Sequence, residues 1–310
     1  MKLNDVLDWV LEAKQGSEPK PMPAFPKIVE KKCTGCGICQ KECAAFIIEM
    51  RDGMPFIARG IDCVECGHCI AVCPTGAIQD PLAMKSDNRP YSFDDFPSSK
   101  SLQLLFRARR SVRKYKDKPI PRPVLEKILD AGRYAPTGGN RPDVHFIVIT
   151  SPEEIEWLRG AVLESVLGMF RKLQKVAKPA SLIMGRENLD TFNYYIPILE
   201  DFQDRWNKMG DDRIFYHAPA LIIVHGKKWD DIVGFGNAVA LYQSSLMAQT
   251  LKVGCCFNGF LQIAPNYDAK IKKWLGIPKQ HKSYGAMGLG YEKVKYRRTV
   301  RRRPPQVTWR

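Results

Sequence analysis

Four short, nearly continuous apolar runs interrupt an otherwise mixed pattern: Val144–Thr150, Ala220–His225, Gly254–Phe260 and Tyr284–Gly290. Runs of this length without alternation predict strands covered on both faces. Elsewhere apolar residues return at helical spacing. Val6, Leu7, Val10 and Leu11 share one face of a helix over residues 2–14, and Leu102–Arg109 reads as another. Val124, Ile128, Leu129 and Ala131 give a helix from Pro123 to Tyr134, with proline in the first turn, where its missing N–H is not needed. Pro152–Gln174, Asp230–Lys252 and Asp268–Leu275 complete the helical set. Residues 175–217 hold Phe192, Tyr194, Tyr195, Phe202, Trp206, Phe215 and Tyr216, expected on helices either as core or as a lid over a flat ligand. Phe46–Ile48 and Pro55–Ile57 flank Asp52-Gly53, the signature of a hairpin.

The breaks are as informative as the runs. Residues 16–27 are rich in Pro with Gly and Ser, and Asp80–Lys100 carries Pro81, Pro90, Pro97 and several Ser and Asp, so both read as connections. The chain then divides into a helix and linker over 1–24, a small unit over 25–80, a connection over 81–100 and a larger domain over 101–310. In the last, strands alternating with helices predict an α/β or α+β layered domain. A length of 310 residues suits about two domains. Met1-Lys2-Leu3-Asn4-Asp5 lacks a basic segment leading into an apolar run, and no apolar stretch reaches bilayer-spanning length, so the expectation is a soluble cytoplasmic protein.

The net charge of +15 invites a nucleic-acid reading until its distribution is seen. Residues 101–118 carry seven Lys/Arg against one Asp/Glu, and 292–310 carry eight against one, whereas residues 1–100 are slightly acidic. Two short basic segments far apart in sequence read either as a solvated face or nucleic-acid patch, or as one anion site built from remote segments.

Ten cysteines change the picture most. Eight of them fall as Cys33-x2-Cys36-x2-Cys39-x3-Cys43 and Cys63-x2-Cys66-x2-Cys69-x3-Cys73-Pro74, one spacing repeated thirty positions on. A local wrap supplies three thiolates to a [4Fe–4S] cluster and the distant fourth belongs to the other cluster. That logic assigns Cys33, Cys36, Cys39 and Cys73 to one cluster and Cys63, Cys66, Cys69 and Cys43 to the second. Zinc has no use for a third x2 step followed by x3, and disulfides suit small exported scaffolds. The span resembles a bacterial two-cluster ferredoxin over about residues 25–80, with one departure: Ala44 stands where the second run has Pro74. Thiols so used need a reducing compartment.

Three further motifs occur in order: Arg109-Arg110-Ser111-x-Arg113, Ala135-Pro136-Thr137-x2-Asn140 and Gly254-Cys255-Cys256-Phe257-Asn258-Gly259. With them the chain resembles the FMN-dependent nitroreductase family over about residues 101–310. Guanidinium forks and a hydroxyl suit a phosphate dianion, and Arg109, Ser111 and Arg113 alternate along an extended segment onto one face. The resemblance implies a three-layer FMN domain with Arg109, Arg110, Ser111 and Arg113 on the flavin phosphate and ribityl chain, closed over by Arg298 and Arg302 of the basic tail. It implies that Pro136, Thr137 and Asn140 reach the flavin from the partner subunit of a homodimer. It also implies that backbone N–H groups at Asn258 and Gly259 face the reactive edge of the ring. The activity so implied is electron transfer from ferredoxin or NAD(P)H, through two [4Fe–4S] clusters and FMN, to a small organic acceptor such as a nitroarene, quinone or activated alkene. No general acid presents itself. A non-enzymatic electron carrier or redox sensor docking an acidic partner is the alternative.

Other signals are weaker. Gly234-x-Gly236 lacks the third glycine of a dinucleotide fingerprint and reads as a helix start. Cys255 and Cys256 read as small buried residues. His68, His145, His217, His225 and His281 show no metal spacing, although His68 lies inside the second cysteine run.

Overall fold

The computed structural model describes residues 26–80, 89–184, 187–228 and 230–310. The helix expected over 2–14 and most of the linker after it lie outside these residues. The chain divides into two compact units, one running to Phe96 and taking in Gly139–Arg141, the other formed by Pro97–Gly138 and Pro142–Arg310.

The first unit contains β1 (Lys27–Ile28), α1 (Ile38–Lys41), β2 (Ile48–Arg51), β3 (Met54–Ile57), α2 (His68–Ala71) and β4 (Ile78–Gln79). β1 pairs antiparallel with β4, and β2 with β3 across the expected turn at Asp52-Gly53. The thirty-residue repeat of the sequence is a repeat of structure. A 3-10 turn at Glu30–Lys32 returns at Gly60–Asp62, and left-handed Gly37 and Gly67 (φ 69° and 72°) each begin a one-turn helix. Only Gly adopts this backbone at no steric cost. Ile47, Ile48 and Ile78 form a small core between the copies, joined by buried Cys39. So little apolar surface leaves the unit dependent on another staple.

In the second unit α3 (Ser99–Ala108), α4 (Arg122–Arg133), β5 (His145–Ile149), α5 (Pro152–Met184), α6 (Glu187–Met209), β6 (Ala220–Lys227), α7 (Asp231–Thr250), β7 (Val253–Phe257), α8 (Gly259–Tyr267), α9 (Ala269–Trp274) and β8 (His281–Tyr291) follow in order. The sheet runs β5-β6-β8-β7, and each neighbouring pair is antiparallel. Along β6, Leu221 and Ile223 enter one hydrophobic cluster with α5, α6, α8 and α9. Ala220, Ile222 and Val224 enter the other, with α4 and α7. Strand side chains alternate between faces, so the sheet is the middle of three layers and the domain is α+β.

Three expectations need correction. β5 is an edge strand and only half-covered, because it has a single neighbour in the sheet. The run Gly254–Phe260 is a strand only to Phe257. The Asn258 side chain then accepts the Leu261 N–H at 2.9 Å and caps α8, a helix not expected from the sequence. α5 runs on past Gln174 to Met184. The glycines of Gly234-x-Gly236 serve packing: a Cβ would sit 2.8 Å from the Tyr284 ring at Gly234 and 3.0 Å from Thr137 Cγ2 at Gly236. Of the aromatics between 192 and 216, Phe192 and Phe202 pack on the core and Phe215 is buried within it, while Tyr194 is exposed.

Candidate functional site

In the first unit the eight thiols surround two cavities. One, of about 130 Å³, is lined by Cys43, Cys63, Cys66 and Cys69, with His68 beside them. The other, narrower, is lined by Cys33, Cys36, Cys39 and Cys73. Each cavity therefore takes three thiols from one run and the fourth from the other. All ten cysteines of the chain are free thiols, and among the described residues no group of three or more His, Cys, Asp or Glu is arranged to hold a single metal ion.

Electrostatics follows the same partition. Burial pushes the Cys69 thiol up to about 11, and the nearby Cys66, Cys43 and Cys63 add to the rise. Burial likewise raises Cys63, with Cys66 and Cys43 contributing, and raises Cys39, with Cys36 and Cys33 contributing. Four converging thiols repel one another as thiolates unless a cationic centre lies between them. Cys73 moves the other way. Burial alone would raise it, but hydrogen bonds at Ile78, Thr75 and Ala77 outweigh burial and hold the thiol below its ordinary value. The Ala77 N–H donates to Cys73 Sγ at 3.2 Å, and its counterpart in the other copy, Ile47, donates to Cys43 Sγ at 3.4 Å. Gly35 (φ 68°) holds the first wrap against the hairpin, where a Cβ would lie 2.5 Å from the Gly53 carbonyl oxygen.

In the second unit the segment Arg109–Lys116 lies beside β7 and the end of β8. The Val112 N–H donates to Cys255 O at 3.0 Å and the Lys116 N–H to Tyr291 O at 2.8 Å. Val112 and Tyr115 are the buried anchors, and the Tyr115 hydroxyl donates back to Val112 O at 2.7 Å. Two glycines make room for them: a Cβ at Gly254 would meet Val112 Cγ2 at 2.6 Å, and one at Gly290 the Tyr115 ring at 2.5 Å. With Val112 turned into the core, Arg109, Ser111 and Arg113 fall on the other side of the strand. The Arg109 guanidinium lies 5.9 Å from the Phe257 ring and that of Arg113 5.6 Å from the Tyr216 ring. Arg110 Nη1 donates to Arg109 O at 2.6 Å. Arg109 Nη1 and Arg110 Nη2 are buried, and among the described residues neither has a partner. A buried guanidinium N–H without an acceptor costs more than a kilocalorie per mole, about 1–3, so each of these nitrogens suits an acceptor that the protein itself does not supply.

Three further side chains border this row: Cys255 and Cys256, expected only as small buried residues, and Tyr216, expected as core or lid. Cys255 faces Arg109 and Ser245, and burial pushes its thiol up to about 11 against the pull of Arg109. Cys256 faces Ser111 and Arg113, which oppose the rise that burial causes. Tyr216 reaches Arg113 from a turn organised by buried Asp212, whose carboxylate accepts the N–H groups of Ile214, Phe215 and His217. Tyr216 and His217 both have positive φ, 58° and 55°, a backbone that side-chain-bearing residues adopt at a cost. No periodicity announces such a turn.

Asn258 spends its polar groups locally: its Nδ2 donates to Ile214 O at 2.6 Å and its backbone N–H to Ala286 O at 2.8 Å. The donors left at this point are the first-turn N–H groups of α8, beginning at Gly259. Pro136 and Thr137 follow α4 and pack over Gly236. Asn140, at φ 51°, goes with the first unit, where its amide donates to Val64 O and Glu65 O at 3.0 Å. Arg298 and Arg302 lie exposed in the C-terminal tail.

The histidines are regrouped by the sheet. His145 pairs with His225 in register, and His281 lies on the next strand. His225 Nδ1 and His281 Nδ1 are 3.0 Å apart, and the His145 ring stacks on His225 at 5.1 Å. Burial, then His145 and His281, lower His225 to about 4.

A model of the nitroreductase family matches residues 106–291, and a 4Fe-4S dicluster domain matches residues 32–78. A 4-nitrobenzoate reductase of Nocardioides sp. (strain LMS-CY) is 23% identical over 225 residues, 64% of this chain and 84% of that protein. An uncharacterized ferredoxin of Methanocaldococcus jannaschii is 39% identical over 49 residues, 15% of this chain and 79% of that protein. The crystal structure of a nitroreductase with bound FMN from Bacteroides fragilis aligns with 67% of this chain and 98% of its own, at 26% identity and a TM-score of 0.49. The family match takes in more than half of the 310 residues, and the chain belongs to the nitroreductase family of oxidoreductases, with a 4Fe-4S dicluster ferredoxin domain on the N-terminal side.

Proposed function

We propose that this protein is an iron–sulfur flavoprotein that takes electrons from ferredoxin or NAD(P)H and delivers them to a small organic acceptor, a nitroaromatic, a quinone or an activated alkene. Cys33, Cys36, Cys39 and Cys73 hold one [4Fe–4S] cluster, and Cys63, Cys66, Cys69 and Cys43 the other. FMN, when bound, supplies the conversion between single electrons and electron pairs that such acceptors need. The observation that carries the reading is the pairing, in one chain, of two crossed four-thiol cavities with buried guanidinium nitrogens that lack an acceptor.

The residues' own work is binding and electrostatics. Arg109, Arg110, Ser111 and Arg113 bind the phosphate and ribityl chain, with Arg298 and Arg302 adding charge from the tail. Pro136 and Thr137 contribute from the loop after α4, whereas the Asn140 amide is spent on the Val64 and Glu65 carbonyls of the first unit. The first-turn N–H groups at Gly259, fixed by the Asn258 cap, orient toward the electron-rich edge of the ring. A homodimer accords with the exposed apolar residues Leu102, Leu104 and Phe106 of α3. Among the described residues no helix is long and apolar enough to cross a membrane; eight thiols kept for metal ligation call for a reducing compartment, and on that ground we assign the protein to the cytoplasm.

Anaerobic purification tests the whole. Close to eight irons per polypeptide are expected, with one FMN released on denaturation. The flavin should bleach with reduced ferredoxin or NAD(P)H and recover on adding a nitroarene or quinone. Colourless protein with little iron would sink the proposal.

A further inference from the structure

The two cysteine copies share a backbone plan and have diverged in opposite directions. At positions thirty apart, Thr34 answers to Val64, Gln40 to Ile70, Lys41 to Ala71 and Glu42 to Val72, polar in the first copy and apolar in the second, while Gly35/Glu65 and Ile38/His68 run the other way. Exposure follows. Thr34, Cys36 and Gln40 are exposed, whereas Val64, Cys66 and Ile70 are half-buried. Part of the cover over the second loop comes from within the same unit, where the Asn140 amide donates to the carbonyls of Val64 and Glu65. Charge divides the same way. Residues 27–43 present exposed Lys27, Lys31, Lys32 and Lys41 against Glu30 and Glu42, while residues 57–73 carry Arg59 against Asp62 and Glu65.

Both copies need the same thiols, so ligation does not explain the difference between their flanks. A partner does. Lysines around an exposed loop attract an acidic protein and speed its diffusional approach, whereas a half-buried loop whose exposed charges are Asp62 and Glu65 does not. We propose that the exposed loop Lys31–Lys41, with Cys36 at its tip, is the docking face for a small acidic one-electron carrier protein, and that the Cys63–Cys66 loop is not. The inference rests on the two-cluster reading above. In each encounter the reduced carrier loses one electron, and the site formed by Cys33, Cys36, Cys39 and Cys73 gains it. Two encounters supply the pair that a two-electron acceptor consumes.

Stopped-flow reduction of the full, cofactor-loaded protein under anoxia tests this, with a reduced two-cluster ferredoxin of net acidic charge as the probe and dithionite as a small donor. Wild-type protein should show a second-order rate of cluster bleaching that falls steeply with added salt. The double variant Lys31→Glu/Lys32→Glu should slow it about 10-fold or more at low salt and leave the dithionite rate unchanged. Ala71→Glu, at the position equivalent to Lys41, should stay within about twofold of wild type. The docking assignment is overturned if the lysine variant keeps the wild-type rate, or if Ala71→Glu slows the carrier as much. Iron content separates this failure from a deeper one: full iron with unchanged rates rejects only the docking face, whereas far fewer than eight irons rejects the cluster reading as well.

Discussion

Single residues in this protein are governed by what burial does to a polar group. Arg109 and Arg110 each keep a guanidinium nitrogen away from water without a protein acceptor, which is tolerable where an external anion supplies one. His225 answers burial in another way, by giving up its charge. Desolvation comes first, followed by His145 and His281 on the neighbouring strands and Lys272 on α9, and together they lower His225 to about 4. His281 is lowered as well, by burial and by His145, although Asp143 pulls it back. The unfolded chain therefore binds more protons than the native one between the ordinary histidine value of 6.5 and about 4. The stability in question is fully present above that window and is lost as pH falls through it. Denaturant unfolding, followed by the fluorescence of Trp157, Trp206 and Trp274, should show the wild type losing about 2 kcal/mol more than His225→Asn between pH 7.5 and pH 5. Parallel pH profiles for the two proteins would refute this account of the histidine cluster.

At the scale of elements, the decisive contacts are those between strand glycines and the segment Arg109–Lys116. Gly254 and Gly290 leave the space that Val112 and Tyr115 occupy, so the segment carrying the arginines is positioned by buried side chains of the core. Gly290→Ala would bring a methyl group to 2.5 Å from the Tyr115 ring and 2.8 Å from Pro219. Overpacking of this kind costs about 1–3 kcal/mol. The variant should melt several degrees lower and bind FMN more weakly, checked by thermal unfolding and by flavin titration of the apoprotein. An unchanged melting point would mean that the ring moves aside freely.

For the whole molecule, two compact units with separate cores predict separable chemistry. Arg109→Ala should lower FMN content while leaving iron near eight per chain. Cys73→Ser should remove iron and leave flavin bound, because Cys73 lines a cavity of the first unit. Iron and flavin assays on both purified variants test the separation, and joint loss of both cofactors in either variant would contradict it.

What the sequence determined by itself is local. Three thiols of each run recur at every third residue, so spacing and a left-handed glycine suffice to wrap them. Helices and buried strands likewise announce themselves where apolar spacing, a capping Asp or a β-branched run acts over a few residues. The tertiary structure decided what register and burial assemble from remote segments. His145, His225 and His281 meet only because adjacent antiparallel strands align them. Cys255, Cys256 and Tyr216 reach the arginine row only because that segment runs along β7 beside the Asp212 turn. β5 is an edge strand because the sheet ends there, which no property of its own residues records. The physical reason is common to all three: periodicity and capping are energies between near neighbours in sequence, while register, edges and the pairing of charges are settled by which remote surfaces exclude water together.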